Sequence, residues 1–289
     1  PPRIVISVFL LLGCAGPVQA SEPERPVTDA ERQHWSFRPP LRPGLPEGDA
    51  PNPIDRFIGA RLAGKGLTLA PEADRRTLLR RITFDLTGLP PTPAEIESFL
   101  NDPDPTACEH VIDRLLSSPA YGERWAQHWL DVARFAESDG FEFDQERKEA
   151  WRYRDWVIRA LNGDLPYDRF LRHQLAGDEV DPPDEHARLA TGFLMAGPDM
   201  TDINIATERR HEFLNKMTQT VGEAFLGLTL GCAQCHDHRH DPIHRTHSPR
   251  SDHGATSMVQ TRYIRSVSPK GFMDSDGFAI LLQTSLSLV

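Results

Sequence analysis

The chain has 289 residues, 39% hydrophobic and 26% charged, and 42 Asp and Glu against 32 Lys and Arg give a formal net charge of −10. That balance excludes broad nucleic-acid binding and works against anionic polysaccharide except at local basic patches. No segment beyond residue 20 is long and apolar enough to span a bilayer as a helix.

Arg3 precedes an apolar run, residues 4–12, and small residues follow as far as Val18-Gln19-Ala20. The run is too short to cross a membrane and has the layout of a secretory signal peptide cleaved after Ala20. Leu11-Leu12-Gly13-Cys14 offers a second reading, a lipobox in which acylated Cys14 becomes a lipid anchor. Both readings make residues 1–20 a signal segment and send the remainder to a periplasmic or extracellular location. Residues 21–52 are Pro-rich, lack hydrophobic periodicity and read as a linker.

From residue 53 the pattern is helix after helix. Asn52 is placed to cap and Pro53 to fill the first turn of a helix with Ile54, Phe57, Ile58 and Leu62 as its apolar stripe. Leu78, Leu79, Ile82 and Leu86 form the next stripe, stopped by Gly88-Leu89-Pro90-Pro91. Thr92-Pro93-Ala94-Glu95 is a capping box that opens a helix carrying Ile96, Phe99 and Leu100. Val111, Ile112, Leu115 and Leu116 define a fourth helix, whose apolar face also takes Cys108, read as a buried thiol.

Residues 121–135 are predicted helical, with Trp125 and Trp129 stacked one turn apart, and Asp139-Gly140 breaks the pattern. Further helices are expected over 151–161, 167–175 and 185–195. The longest, 205–228, carries Leu214, Met217, Val221, Ala224, Phe225 and Leu228 on one side and ends at Gly231. No alternating run is long enough for a substantial sheet. The expectation is therefore a mainly α, single multi-helix domain over 53–243, large enough for a core without disulfides. Residues 244–289 lose all period and read as an irregular tail, disordered or frame-shifted.

Cys232-Ala233-Gln234-Cys235-His236 is the attachment signature of c-type haem. Two thiols one turn apart suit thioether bonds to the haem vinyl groups, and His236 follows as iron ligand. A distal ligand is not evident among Met200, Met217, Met258 and Met273. His238 and His240 extend the run, so a zinc or copper site is a rival reading. A Cys232–Cys235 disulfide in a scaffold without chemistry is a third.

Asp131, Glu137, Asp139, Glu142 and Asp144 form an acidic group around a loop. Asp131, Asp139, Glu142 and Asp144 are the candidates for acid/base work in a hydrolytic, polysaccharide-active enzyme, or for holding calcium. The bland reading is a solvated acidic loop. Trp151-Arg152-Tyr153-Arg154-Asp155-Trp156 interleaves aromatics with Arg; a sugar-stacking face competes there with core packing and a salt-bridged rim. No Gly-rich phosphate loop, Gly-x-Ser-x-Gly elbow or His-Glu-x-x-His is present.

Several runs together carry a family likeness. They are Ala73-Asp74-Arg75-Arg76-Thr77-Leu78-Leu79-Arg80-Arg81, Phe84-Asp85-Leu86-Thr87-Gly88-Leu89-Pro90-Pro91-Thr92 and Ser118-Pro119-Ala120-Tyr121-Gly122-Glu123-Arg124-Trp125. His128-Trp129-Leu130-Asp131, Ser138-Asp139-Gly140, Pro166-Tyr167-Asp168-Arg169-Phe170 and Gln174-Leu175-Ala176-Gly177-Asp178 continue it as far as Asp241-Pro242-Ile243. Over residues 34–243 the chain resembles the domain of unknown function that accompanies planctomycete cytochrome c domains in large exported proteins. The resemblance implies export, a redox partner or separate cytochrome domain, and an association with polysaccharide or sulfatase systems, with no established activity. The chain departs from that pattern where the upstream cytochrome domain and the continuation after Ile243 are expected, and it reads as a fragment.

Overall fold

The computed structural model describes residues 28–140, 144–199, 203–234 and 236–243. Residues 1–27, Glu142, Met200, Cys235 and the tail 244–289 lie outside them, and with them the signal segment, Cys14 and two of the distal-ligand candidates, Met258 and Met273. Among the described residues the protein is mainly α, as its periodicity predicts, and the one extended pairing is an isolated antiparallel bridge between Ser138 and Glu146. None of their helices is long and apolar enough to cross a membrane.

A short α1 (Asp29–Arg32) opens on a Thr28–Glu31 capping box. In α2 (Pro53–Ala63) the Asn52 side chain accepts the Ile54 amide at 2.9 Å, so the cap forms as expected. Its stripe differs from expectation: Ile54, Phe57 and Ile58 are 65%, 40% and 43% exposed, and no residue of α2 is buried. The pattern dictates a helix with an apolar side, and among the described residues that side stays largely uncovered.

The next three helices, α3 (Arg75–Thr87), α4 (Pro93–Asn101) and α5 (Ala107–Leu116), close over a small core of Leu79, Phe99 and Ala107. Arg75 lies 4.4 Å from the centre of the Phe99 ring and donates to the Phe99 carbonyl at 2.6 Å. Cys108 is half-buried against this core with a free thiol.

The main core lies among α6 (Pro119–Val132), α7 (Trp151–Asn162), α8 (Tyr167–Ala176) and the segment after α9 (Glu185–Ala190). Trp129 meets Phe170 edge-on at 4.8 Å, and Trp156 stacks on Phe170 at 5.2 Å. Such pairs add about 1 kcal/mol each beyond area burial. The expected Trp125–Trp129 stack is not formed. Trp129 turns into this core, while Trp125 stays 41% exposed beside Tyr121 and His128.

Three predicted helices end differently from expectation. Arg134, at φ 57°, turns the chain two residues after α6 stops at Val132. The 185–195 stretch divides into α9 and a 3₁₀ turn, Thr191–Met195. The long helix is α10 (Ala206–Val221), followed by one π-helical turn over Gly222–Leu226 and Gly227 at φ 65°. The cause is at Gly222, where a Cβ would stand 2.5 Å from Leu230 Cδ1. The chain folds back onto this bare backbone, and the Leu228 amide bonds the Gly222 carbonyl at 3.0 Å.

Candidate functional site

Past Gly227 the chain makes a 3₁₀ turn, Leu230–Gln234, that carries Cys232. Leu228, Leu230, Ala233 and Ile243 bury together against Phe37 and Leu226, which gives the Cys/His segment a small core of its own. Leu230 also seats on Gly222, and Gln219 Nε2 donates to Gln234 Oε1 at 3.2 Å. The turn is thus tied to the end of α10 by packing and by one side-chain bond. Cys232 stands exposed on it with a free thiol.

His236 is exposed, and its Nδ1 lies 2.7 Å from the Asp237 carbonyl oxygen. A carbonyl can only accept, so Nδ1 carries the proton and Nε2 keeps its lone pair. This is the tautomer a metal-ligating imidazole uses, with the far nitrogen anchored to backbone. His238 is used differently. Its Nδ1 accepts the amides of Asp241 at 2.9 Å and His240 at 3.3 Å, which leaves the proton on Nε2 to be donated to Thr229 Oγ1 at 2.8 Å. Asp241 Oδ2 approaches that same Nδ1 to 3.4 Å, a pairing that gains strength only when the ring takes a second proton. With both nitrogens occupied, the 5%-exposed side chain of His238 is the pin of the loop that returns to Ile243. His240 is exposed, its ring centre 6.3 Å from that of His238.

The acidic candidates among the described residues make separate contacts or stand exposed. Asp131 is exposed in the last turn of α6. Asp139 Oδ1 accepts the Asp199 amide at 3.3 Å and stands 3.8 Å from Arg147 Nε. Asp144, at φ 34°, accepts from Ser138 Oγ at 2.6 Å. Glu137 pairs with Arg154. Among the described residues no three His, Cys, Asp or Glu side chains are grouped to hold a metal ion; Glu142 and Cys235 lie outside the described residues.

The aromatic and Arg run at the start of α7 divides between core and surface. Tyr153 and Trp156 are buried, while Trp151 is exposed with the Arg152 guanidinium 5.5 Å from its ring centre. Behind the run lies a polar network that sequence reading did not single out. Gln174 Oε1 accepts from Tyr153 Oη at 2.6 Å and from Trp129 Nε1 at 2.8 Å, and Gln174 Nε2 donates to the Phe170 carbonyl at 3.0 Å. Burial pushes the Tyr153 hydroxyl well above its ordinary pKa, opposed by the Trp129 N–H. The available signal was Gln174 itself, a polar residue four positions after Phe170 on a buried stripe.

No curated protein and no solved structure matches the chain. A family model does, the one described as PSCyt2, a protein of unknown function (DUF1549), and its match runs over residues 53–248, from the first residue of α2 through the Cys/His segment. With that match over more than half of its length, the chain belongs to the PSCyt2 family.

Proposed function

We propose that this is an exported domain that binds one c-type haem through Cys232, Cys235 and His236 and passes electrons to or from a separate redox partner. The observation that carries the reading is the pairing of an exposed Cys232 thiol with a His236 ring anchored at Nδ1 and open at Nε2. That donor set, thiols for the vinyl groups and an imidazole for the iron, fits the group. When bound, haem supplies one-electron chemistry.

The protein's own contribution is positional. The Gln219–Gln234 bond and the Leu230–Gly222 contact hold the turn that presents Cys232, and His238 pins the loop beyond His236. The Asp237 carbonyl fixes the orientation of the imidazole ring. The exposure of both groups suits a cofactor whose edge must come close to a partner. Export belongs to the same reading, because c-type haem is attached outside the cytoplasmic membrane; it proceeds by cleavage after Ala20 or by acylation of Cys14. A link to polysaccharide breakdown rests on the family resemblance alone.

The rival readings draw less support. Asp139 Oδ1 accepts the Asp199 amide and Asp144 Oδ1 accepts from Ser138, so the two carboxylates serve separate structural contacts, and His238 has no nitrogen left for zinc or copper. The test is expression with export in a host that matures c-type cytochromes, then a pyridine haemochrome spectrum. Haem that survives denaturing electrophoresis is expected, with loss in the Cys232→Ala and Cys235→Ala proteins. Folded, exported protein without haem would sink the reading.

A further inference from the structure

On the face of the molecule formed by the start of α7, α9 and the turn after it lies a cleft of about 640 Å³. That volume falls within the range of small-molecule sites, roughly 300–1,000 Å³. Its apolar lining, taken as the floor, is Phe135, the buried Tyr153, Leu189 and Met195, the last 56% exposed. Its charged lining is Arg147, Lys148, Arg152 and Arg188 against Glu149 and Glu185. Cations outnumber acids there, although the chain as a whole carries −10. A local reversal of sign in an acidic protein concentrates anions at that point.

The cations divide into a fixed one and three adaptable ones. Arg147 is fixed: its Nη1 donates to the Ala136 and Ala196 carbonyls at 2.8 and 2.7 Å, and its Nη2 to the Met195 carbonyl. The nearest acid, Asp139, stays 3.8 Å away, so carbonyl dipoles rather than a close carboxylate balance its charge. Arg152 pairs with Glu149, and Arg188 with Glu185 at 3.4 Å, both between exposed side chains one turn apart. Exposed pairs of this kind are weak, because solvent screens both charges. Exchanging such a carboxylate for that of a ligand therefore costs little. Lys148 lines the cleft and is exposed.

We propose that this cleft binds an organic carboxylate, its apolar body on the Phe135–Tyr153–Leu189–Met195 floor and its charge between Lys148, Arg152 and Arg188. The apolar floor selects against bare inorganic anions, and the guanidinium forks match a planar carboxylate better than a neutral amide. The site is independent of the Cys/His segment and stands or falls without haem.

Calorimetric titration of the full chain with phenylbutyrate, phenylbutyramide and inorganic phosphate tests it. Phenylbutyrate is expected to bind with a Kd on the order of 1 mM, as its size allows. The amide is expected to bind about tenfold more weakly, and phosphate not to compete. The double variant Lys148→Gln/Arg188→Gln and the single variant Met195→Glu change exposed side chains, so both keep their circular dichroism and both lose phenylbutyrate binding. Absent binding, equal binding of acid and amide, competition by phosphate, or unchanged affinity in both variants overturns the proposal.

Discussion

Gln174 joins α6, α7 and α8 through one buried side chain. It is completely buried, it accepts from both Tyr153 and Trp129, and its own amide returns to the Phe170 carbonyl. Gln174→Leu keeps the volume but leaves the Tyr153 hydroxyl without its acceptor. A loss of about 1–3 kcal/mol is expected, read from the urea midpoint. The same network sets an alkaline limit. Burial raises the Tyr153 pKa in the folded state, so the folded protein holds that proton more tightly than the unfolded chain does. Its contribution is complete below the unfolded value of about 10 and declines as pH rises beyond it. Stability measured from neutral pH upward should fall past that point, and Tyr153→Phe should flatten the slope there whatever its effect at neutral pH. An unchanged slope would show that Tyr153 does not set the limit.

Helix boundaries were legible at several places where a local device fixes them, although the Ser118 cap of α6, ahead of the predicted start at residue 121, was passed over. The Thr92–Glu95 capping box forms as its spacing predicts, with Thr92 Oγ1 accepting the Glu95 amide and Glu95 Oε2 accepting the Thr92 amide at 2.7 Å. The Thr92 amide is the first of the causes that hold the Glu95 carboxyl below its usual pKa, with the Thr92 hydroxyl next and Arg114 a smaller one. Thr92→Ala should lower stability by about 1 kcal/mol, seen as a shifted thermal midpoint. Boundaries that depend on distant chain were not legible. The apolar stripe of the last helix runs on to Leu228, yet the helix loosens into a π turn because Leu230 returns to occupy the space over Gly222. The stripe of α2 shows the converse: a periodic face makes a helix, but periodicity says nothing about what covers it.

At the scale of the whole molecule, close approaches between remote segments decide which surfaces meet. Gly177, just past α8, lies so near α9 that a Cβ would stand 1.8 Å from the Ala187 carbonyl oxygen. Gly177→Ala should therefore force α8 and α9 apart and cost about 1–3 kcal/mol, with faster amide exchange in both helices as the check. Retained stability would place the two helices farther apart than described. Arg147 does comparable work by bonding, since it gathers the carbonyls of Ala136, Met195 and Ala196 from segments far apart in the chain. Glu137, Asp139 and Asp144, which lie close in sequence, each go to a different partner: Arg154, the Asp199 amide and Ser138.

The sequence alone determined the helical class, the caps and the Cys-x-x-Cys-His run, because these depend on residues within a turn or two of one another. The tertiary structure decided that His236 has a nitrogen free while His238 has none, that Trp129 is core while Trp125 is surface, and that a cationic cleft opens beside α7. For Trp129 and the cleft the neighbour is distant chain, and for His236 and His238 it is backbone one to three residues on, placed by the bend of a loop that the rest of the fold holds. The identity of that neighbour is set by packing the whole chain, and local spacing does not encode it.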